Sequence, residues 1–283
     1  YWHIGERINR DVLGNQRAEY GRRIVSKVAE QLQETYGSKG FDEKSIRRMM
    51  QFAQTFPSLN IVAPLARQLS WSHFLIVMPL KDELQREFYL TMAASERWSK
   101  RTLQDKIDGM LYERTAIAQK PDEVIKAELA SLRDDNTLSP DLVFKSPFFL
   151  EFTGLKSCYN EHSLEDSLVT HLEQFILELG KGFCFEARQK RIIIDDEYYY
   201  PDLVFYNRIL HCGVIIELKN EEFSYENFGQ LNAYVSHYRE NEMQPGDNPP
   251  IGILLCTRKG KKMVEYALAG MDNNLFVSTY MLQ

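Results

Sequence analysis

The sequence is poor in cysteine and has no long apolar run, and each absence narrows what the protein can be. Its four cysteines, Cys158, Cys184, Cys212 and Cys256, stand far apart and form no CxxC pair. A zinc knot or a disulfide framework is therefore not expected. Free thiols buried beside apolar strands, in a reducing cytoplasm, are. No stretch approaches the roughly 20 apolar residues needed to cross a bilayer, so no membrane partner is expected. No secretory signal peptide is visible, although little rests on this because the chain begins at Tyr1 rather than Met.

Other absences concern chemistry. There is no GxxxxGK[ST] phosphate loop, no HExxH helix and no GxSxG elbow, which excludes a built-in ATP motor, a zinc protease of that type and a serine hydrolase of that type. His162, His171, His211 and His237 show no metal-ligand spacing. Internal repeats and low-complexity tracts are missing too. What remains is 283 residues of ordinary globular composition, 44% hydrophobic and 26% charged, enough for one large domain or two ordinary ones.

The net charge of −6 conceals an asymmetry. Residues 1–120 hold 19 Lys and Arg against 14 Asp and Glu, whereas the remainder holds 15 against 26. A basic front half suits contact with phosphates. The acidic back half needs another device to approach a polyanion, and carboxylates that hold a divalent cation would be one.

The front half reads as helices. Ile24, Val28 and Leu32 recur at four-residue steps over residues 17–36, with Gly37 as a stop and a polar turn over 37–40. Asp42 is placed to cap a second helix that Pro57 ends, with an apolar stripe of Ile46, Met49, Met50, Ala53 and Phe56. Arg47, Arg48 and Gln51 fall outside that stripe. Two helices joined this way are compatible with helix-turn-helix recognition of nucleic acid, but the commoner source of such a pattern is a helical pair whose charged face is solvated. Further helices are expected over 82–94 and 95–114, the latter capped by Ser95 or Ser99. The charged stretch 122–135, bracketed by Pro121 and Pro140, is either one exposed helix or a linker, and the domain boundary is placed near it. The expected organisation is a helical domain with linker over 1–140 and a second domain over 141–283.

The second half changes character. A helix is expected over 163–179, then strands over 183–194, 198–206 and 212–218, a helix over 225–239, a strand over 251–256, a helix over 261–269 and a last strand over 275–281. The order αβββαβαβ predicts an α/β fold on a mixed sheet.

Within it, Pro201-Asp202 precedes Glu217-Leu218-Lys219 by fifteen residues. Alternation along a strand sends Glu217 and Lys219 to one face and Leu218 to the other, and a hairpin turn brings Asp202 alongside. Two neighbouring carboxylates in an apolar setting repel one another and lose hydration, and a bound cation reverses that penalty. Mg²⁺ suits such a site because it prefers oxygen ligands and keeps waters for chemistry; Mn²⁺ is the alternative. Lys219 would orient or deprotonate a water, or offset charge on a pentacovalent phosphorus. The rival reading is a surface Glu–Lys pair with Asp202 in a turn.

These residues, with the stretches FILELGKGFCFEARQKR, YYPDLVFYNRILHCGVIIELKN and GQLNAYV, resemble the YhcG family of PD-(D/E)xK nucleases, in the restriction-endonuclease-like superfamily. Similarity extends to YWHIGERI, GFDEKSIRRMMQFAQTFP and LSWSHF in the front half. The resemblance implies a helix-turn-helix-like domain ahead of the nuclease fold, metal held by Asp202 and Glu217, water served by Lys219, and a metal contact from the Leu218 backbone carbonyl. It also implies a carboxylate from the first core helix, for which Glu165 is the match; the competing reading of Glu165 is an acid favoured by the helix dipole. Gln230 and Tyr234 match a Q-x-x-x-Y pattern facing the substrate or steadying the site. Arg188 and Gln189 correspond to a GRQ-like stretch, from which this chain departs at Glu186-Ala187. The implied activity is metal-dependent hydrolysis of nucleic acid, with DNA as substrate, endonucleolytic, and with a homodimer as a possible assembly. The alternative is a non-catalytic nucleic-acid-binding or adaptor protein that retains the fold. The run Tyr198-Tyr199-Tyr200 either stacks on bases or alternates between core and surface.

Overall fold

Capping side chains decide where the helices of the first part begin. Asp42 Oδ1 accepts the Ser45 N–H at 2.9 Å and opens one, and Ser99 Oγ accepts the Thr102 N–H at 3.1 Å to open another. The structure is a computed structural model that describes residues 1–12, 18–37, 39–155, 159–269 and 274–282; Arg17, Ser38 and Cys158 lie outside the described residues. The chain divides into two compact units, Tyr1–Gly109 and Met110–Gln283.

The first unit is helical: α1 (Trp2–Arg7), α2 (Ala18–Tyr36), α3 (Glu43–Thr55), α4 (Leu59–Leu65), α5 (Trp71–Val77), α6 (Glu83–Glu96) and α7 (Lys100–Asp108). Ile46, Met49 and Met50 of α3 are buried with Ile8, Val25 and Ala29, and Val28 and Leu32 of α2 pack on that cluster. The helix expected over 95–114 is shorter than its pattern suggests. Arg97 ends α6 in a left-handed conformation (φ 56°), and Met110 does the same beyond α7 (φ 49°).

In the second unit, α8 (Leu111–Arg114), α9 (Asp122–Asp135) and α10 (Pro140–Val143) precede β1 (Phe148–Phe149), α11 (Glu161–Thr170) and α12 (Leu172–Leu179). The charged stretch is thus the helix α9, with Ile125, Leu129 and Leu132 buried and Asn136 closing it at φ 54°. Then follow β2 (Phe183–Arg188), β3 (Ile192–Ile194), β4 (Glu197–Tyr199), β5 (Leu203–Asn207), β6 (Cys212–Leu218), α13 (Tyr225–Asn241), β7 (Ile251–Cys256), α14 (Lys261–Leu268) and β8 (Leu275–Met281). The main sheet has the order β1-β8-β7-β6-β5-β2. Its β6, β7 and β8 run parallel, and β5 and β2 are added antiparallel.

The αβββαβαβ order expected from sequence is the order of the core, with three differences. Two expected strands each break in two: Gln189 turns left-handed (φ 47°) after β2, and Pro201, with no N–H for a ladder, stands before β5. The pieces between pair as a separate hairpin, β3–β4. The helix expected from Ser163 starts earlier, because Asn160 Oδ1 accepts the Ser163 N–H at 2.8 Å, and it breaks at His171. Finally, β1 adds a strand beside β8. Of the described cysteines, Cys212 and Cys256 are buried as expected, but Cys184 is exposed, because β2 is an edge strand whose alternate residues face out.

Both faces of the sheet are covered, as its apolar central strands require. Val214, Ile216 and Leu218 join one core with Leu164, Leu168 and Phe175 of α11 and α12. Ile215 and Val204 join the other with Phe228, Leu231 and Tyr234 of α13. Among the described residues no helix is long and apolar enough to cross a membrane.

One close approach in the first unit gives a test of its packing. A Cβ at Gly5 would lie 1.9 Å from the Met49 carbonyl oxygen, where α1 crosses α3. Gly5→Ala should destabilise the protein by about 1–3 kcal/mol or more, read as a lowered midpoint in thermal unfolding. An unchanged midpoint would show that the two helices do not meet this closely.

Candidate active site

The sheet brings together the three residues singled out from sequence. In the register Leu203↔Ile216, the residue preceding β5 stands beside the residue following Ile216. Those two residues are Asp202 and Glu217. By alternation both project to the side of Val204 and Ile215, the face covered by α13. Asp202 Oδ2 accepts the Leu218 N–H at 2.7 Å, and its Oδ1 accepts from Gln189 Nε2 at 2.8 Å. Lys219 Nζ lies 3.2 Å from Glu217 Oε1 and 3.2 Å from Glu161 Oε2. The Leu218 N–H points away from the β7 ladder to reach Asp202. In an extended strand the carbonyl of the same residue faces the same way, toward this group.

Burial dominates the electrostatics. Glu217 is only 3% exposed, and its Oε2 has no hydrogen-bond partner among the described residues. Loss of hydration, then the neighbouring Asp202 charge, pushes the Glu217 carboxyl up to about 8, against the pull of Lys219. Burial also raises Asp202, opposed chiefly by the Leu218 N–H and by Lys219. For Lys219, burial acts to lower the ammonium, but Glu217, Glu161 and Asp202 together outweigh it and hold the proton more tightly. Tyr234 is raised to about 12 by burial and then by the Glu217 charge.

The remaining sequence candidates are placed around this centre or away from it. Glu165 is buried on α11, and its Oε1 accepts from Arg188 Nε at 2.7 Å. Arg188 spends its other end on Asp166 at 2.6 Å, so its guanidinium is held by the helix. Gln189 is bound to Asp202 itself. Gln230 Nε2 donates to the Tyr234 hydroxyl at 2.8 Å, and both line a cleft of about 300 Å³ with Ile194, Tyr199 and Asn227. Arg47, Arg48 and Gln51 are exposed on α3 in the other unit, with Arg47 held by Glu43 at 2.5 Å. Sequence reasoning missed Glu161, one helical turn before Glu165 and therefore on the same face. It also missed Tyr280, whose hydroxyl donates to the Lys219 carbonyl at 3.1 Å. Among the described residues no three His, Cys, Asp or Glu side chains gather to hold a metal; the centre is a carboxylate pair with an amine.

A mixed sheet in αβββαβαβ order, with Asp202, Glu217 and Lys219 at the end of one hairpin, defines a nuclease domain of the PD-(D/E)xK class. Residues 141–283 match the family model described as the YhcG PDDEXK nuclease domain, and residues 1–114 match the DUF1016 N-terminal domain. The chain belongs to the YhcG family. It is 32% identical over 313 aligned positions to "Putative nuclease YhcG" of Escherichia coli (strain K12), an alignment covering 100% of this chain and 82% of that relative. Among solved structures, a repair endonuclease from Pyrococcus abyssi is 19% identical over 44% of this chain and 49% of its own, with a TM-score of 0.31. EndoMS in complex with double-stranded DNA is 17% identical over 44% and 46%, also at 0.31. These alignments span about half or less of the solved chains.

Glu217 offers a test of the local electrostatics. Unfolded, it releases its proton near 4.3; folded, it keeps it to about 8. The folded state therefore binds more protons between these values, and stability falls as pH rises through that window. With a chelator present, Glu217→Gln should unfold at a higher temperature than wild type, increasingly so from pH 5 to pH 9. A gain on the order of 1–3 kcal/mol is expected at the alkaline end, the size of one unsatisfied buried group. A difference that does not vary with pH would mean that Glu217 is not buried in this way.

Proposed function

We propose that this protein is a Mg²⁺-dependent deoxyribonuclease that hydrolyses phosphodiester bonds endonucleolytically, with Asp202, Glu217 and Lys219 as its catalytic group. The observation that carries this reading is the buried Glu217 Oε2 left without a partner beside a second carboxylate. A lone-pair oxygen in that position costs stability unless a cation meets it. The donor set fits a hard divalent ion: two carboxylates, with the Leu218 carbonyl facing them, and no thiolate or imidazole. Asp202, Glu217 and the Leu218 carbonyl would hold it. A bound Mg²⁺ or Mn²⁺ would supply charge neutralisation at the scissile phosphate and a more acidic water.

The chain's own groups do the rest. Lys219 Nζ stands 3.2 Å from both Glu217 and Glu161, which favour its ammonium form. It would orient water, or help to deprotonate it, and offset charge developing on phosphate oxygens. Glu161 and the Tyr280 hydroxyl hold Lys219 at both ends of the residue. Glu165 is the acid of the first core helix and fixes Arg188, while Gln189 orients Asp202. Gln230 and Tyr234 would face the substrate across their cleft. Arg48 and Gln51, with Arg47, would give the first unit a helix-turn-helix-like contact to DNA. Two buried free thiols accord with action in the cytoplasm. A homodimer would pair two such centres, one for each strand.

The test is hydrolysis of linear, circular, branched and single-stranded DNA and of RNA, with and without Mg²⁺ or Mn²⁺. Lys219→Ala should lower the rate roughly 10²-fold or more, the usual cost of one charge-stabilising donor. Equal cleavage by both proteins would remove Lys219 from the mechanism, and cleavage by neither would favour a binding protein that keeps the fold. Because Glu217 must shed its proton before it holds a cation, the Mg²⁺ concentration that half-saturates cleavage should fall as pH rises from 6 to 8. A half-saturating concentration that does not change would remove Glu217 from the metal's ligands.

A further inference from the structure

The hairpin β3–β4 is inserted between two members of the candidate site. Its feet are Gln189 and Asp202, joined by the side-chain bond at 2.8 Å and by the Gln189 N–H to the Asp202 carbonyl at 2.9 Å. One face docks inward. Ile192, 2% exposed, is the register partner of Tyr199, whose ring meets Tyr234 edge-on at 6.2 Å.

The opposite face is unlike an ordinary solvent face, which alternation would make polar. Ile193 (51% exposed) and Tyr198 (59%) are register partners there, with Tyr200 (46%) two residues from Asp202. The Arg191 guanidinium lies 5.2 Å over the Tyr198 ring. Exposed rings, an isoleucine and a cation stand together on this face, and the carboxylates of Asp195, Asp196 and Glu197 are confined to the turn end. Such a surface suits flat, unpaired bases with phosphates near the arginine. The acidic turn would steer a phosphate backbone toward the feet, where the site lies.

We propose that this outer face is a stacking platform for an unpaired nucleic-acid strand, so that the substrate class is nucleic acid with single-stranded character at the scissile position. The inference rests on the nuclease reading for its biological sense, but its binding step is measured without cleavage. The full chain carrying Lys219→Ala would be titrated into a labelled single-stranded oligonucleotide and into a duplex of equal length, with fluorescence anisotropy as the readout. Adding Ile193→Ser and Tyr198→Ala should weaken single-strand binding about ten-fold or more, the range of lost base stacking, with much less effect on duplex. Tyr198→Phe should retain binding. Both positions are exposed, so the melting curve should not move; if it does, Tyr198→Ser alone carries the test.

Equal loss on both substrates, no loss on either, or no single-strand binding at all would overturn the proposal. So would a sedimentation shift from dimer to monomer with nucleic-acid affinity intact, which would assign the face to a second copy of the chain. The two readings fail separately. Binding through Tyr198 without any hydrolysis by wild type upholds the platform and defeats the nuclease. Hydrolysis of single strands indifferent to Tyr198 does the reverse.

Discussion

Burying one carboxylate beside another at the end of an apolar strand is the constraint around which the second unit is organised. Each buried ion forfeits hydration worth several kcal/mol, and their mutual repulsion adds to that. Asp202 recovers part of the loss through the Leu218 N–H and the Gln189 amide, and Glu217 through one edge of Lys219. Nothing among the described residues meets Glu217 Oε2. Five other buried side-chain atoms among the described residues also lack a partner, but Glu217 Oε2 is the one carboxylate oxygen of the six, and a carboxylate is the costliest of these groups to leave unmet.

The topology explains why these groups meet at this end of the sheet. The antiparallel β5–β6 hairpin sets the start of one strand against the finish of the other, and so brings Asp202 to Glu217. The parallel β6–β7 pair cannot be joined by a turn and needs a crossover, which is α13. That helix carries Gln230 and Tyr234, and Tyr234 feels the Glu217 charge. The helix α11 adds Glu161 and Glu165. Groups from β6, from α11 and from the segment before β5 meet at the carboxyl end of β6, where ligand sites in open α/β sheets commonly lie.

Most of this architecture was legible because hydrophobic periodicity reports burial directly. The runs Ile251–Cys256 and Leu275–Met281 are strands at the bounds read from sequence, and Asp202, Glu217 and Lys219 meet as alternation and a hairpin require. The breaks were less legible. Between Phe183 and Ile194 the polar stretch 188–191 holds no Gly or Pro to mark a break, yet Gln189 turns left-handed there, where it binds Asp202, a contact distant in sequence. His171 carries no breaker signal, and its helix parts there anyway. Glu161 was passed over because its value lies in reaching a lysine 58 residues away, which no local pattern encodes.

The charge distribution and the site belong to one argument. From residue 121 onward acids outnumber bases by 26 to 15, so a polyanion approaching this part of the chain meets repulsion. The carboxylate cluster does not relieve it: Glu217 and Glu161 share the single ammonium of Lys219, with Asp202 bound to the Leu218 N–H beside them, leaving the cluster negative when all are ionised. A polyanion can be held there only if positive charge is supplied from elsewhere. On the proposed nuclease reading, a divalent cation between the carboxylates would supply it, where screening by salt is weakest because the site is buried. The surplus of bases in residues 1–120 would supply it over longer range. On that reading, chemistry would rest on the acidic residues from 121 onward and long-range attraction on the basic surplus ahead of them, and neither charge balance alone would account for both.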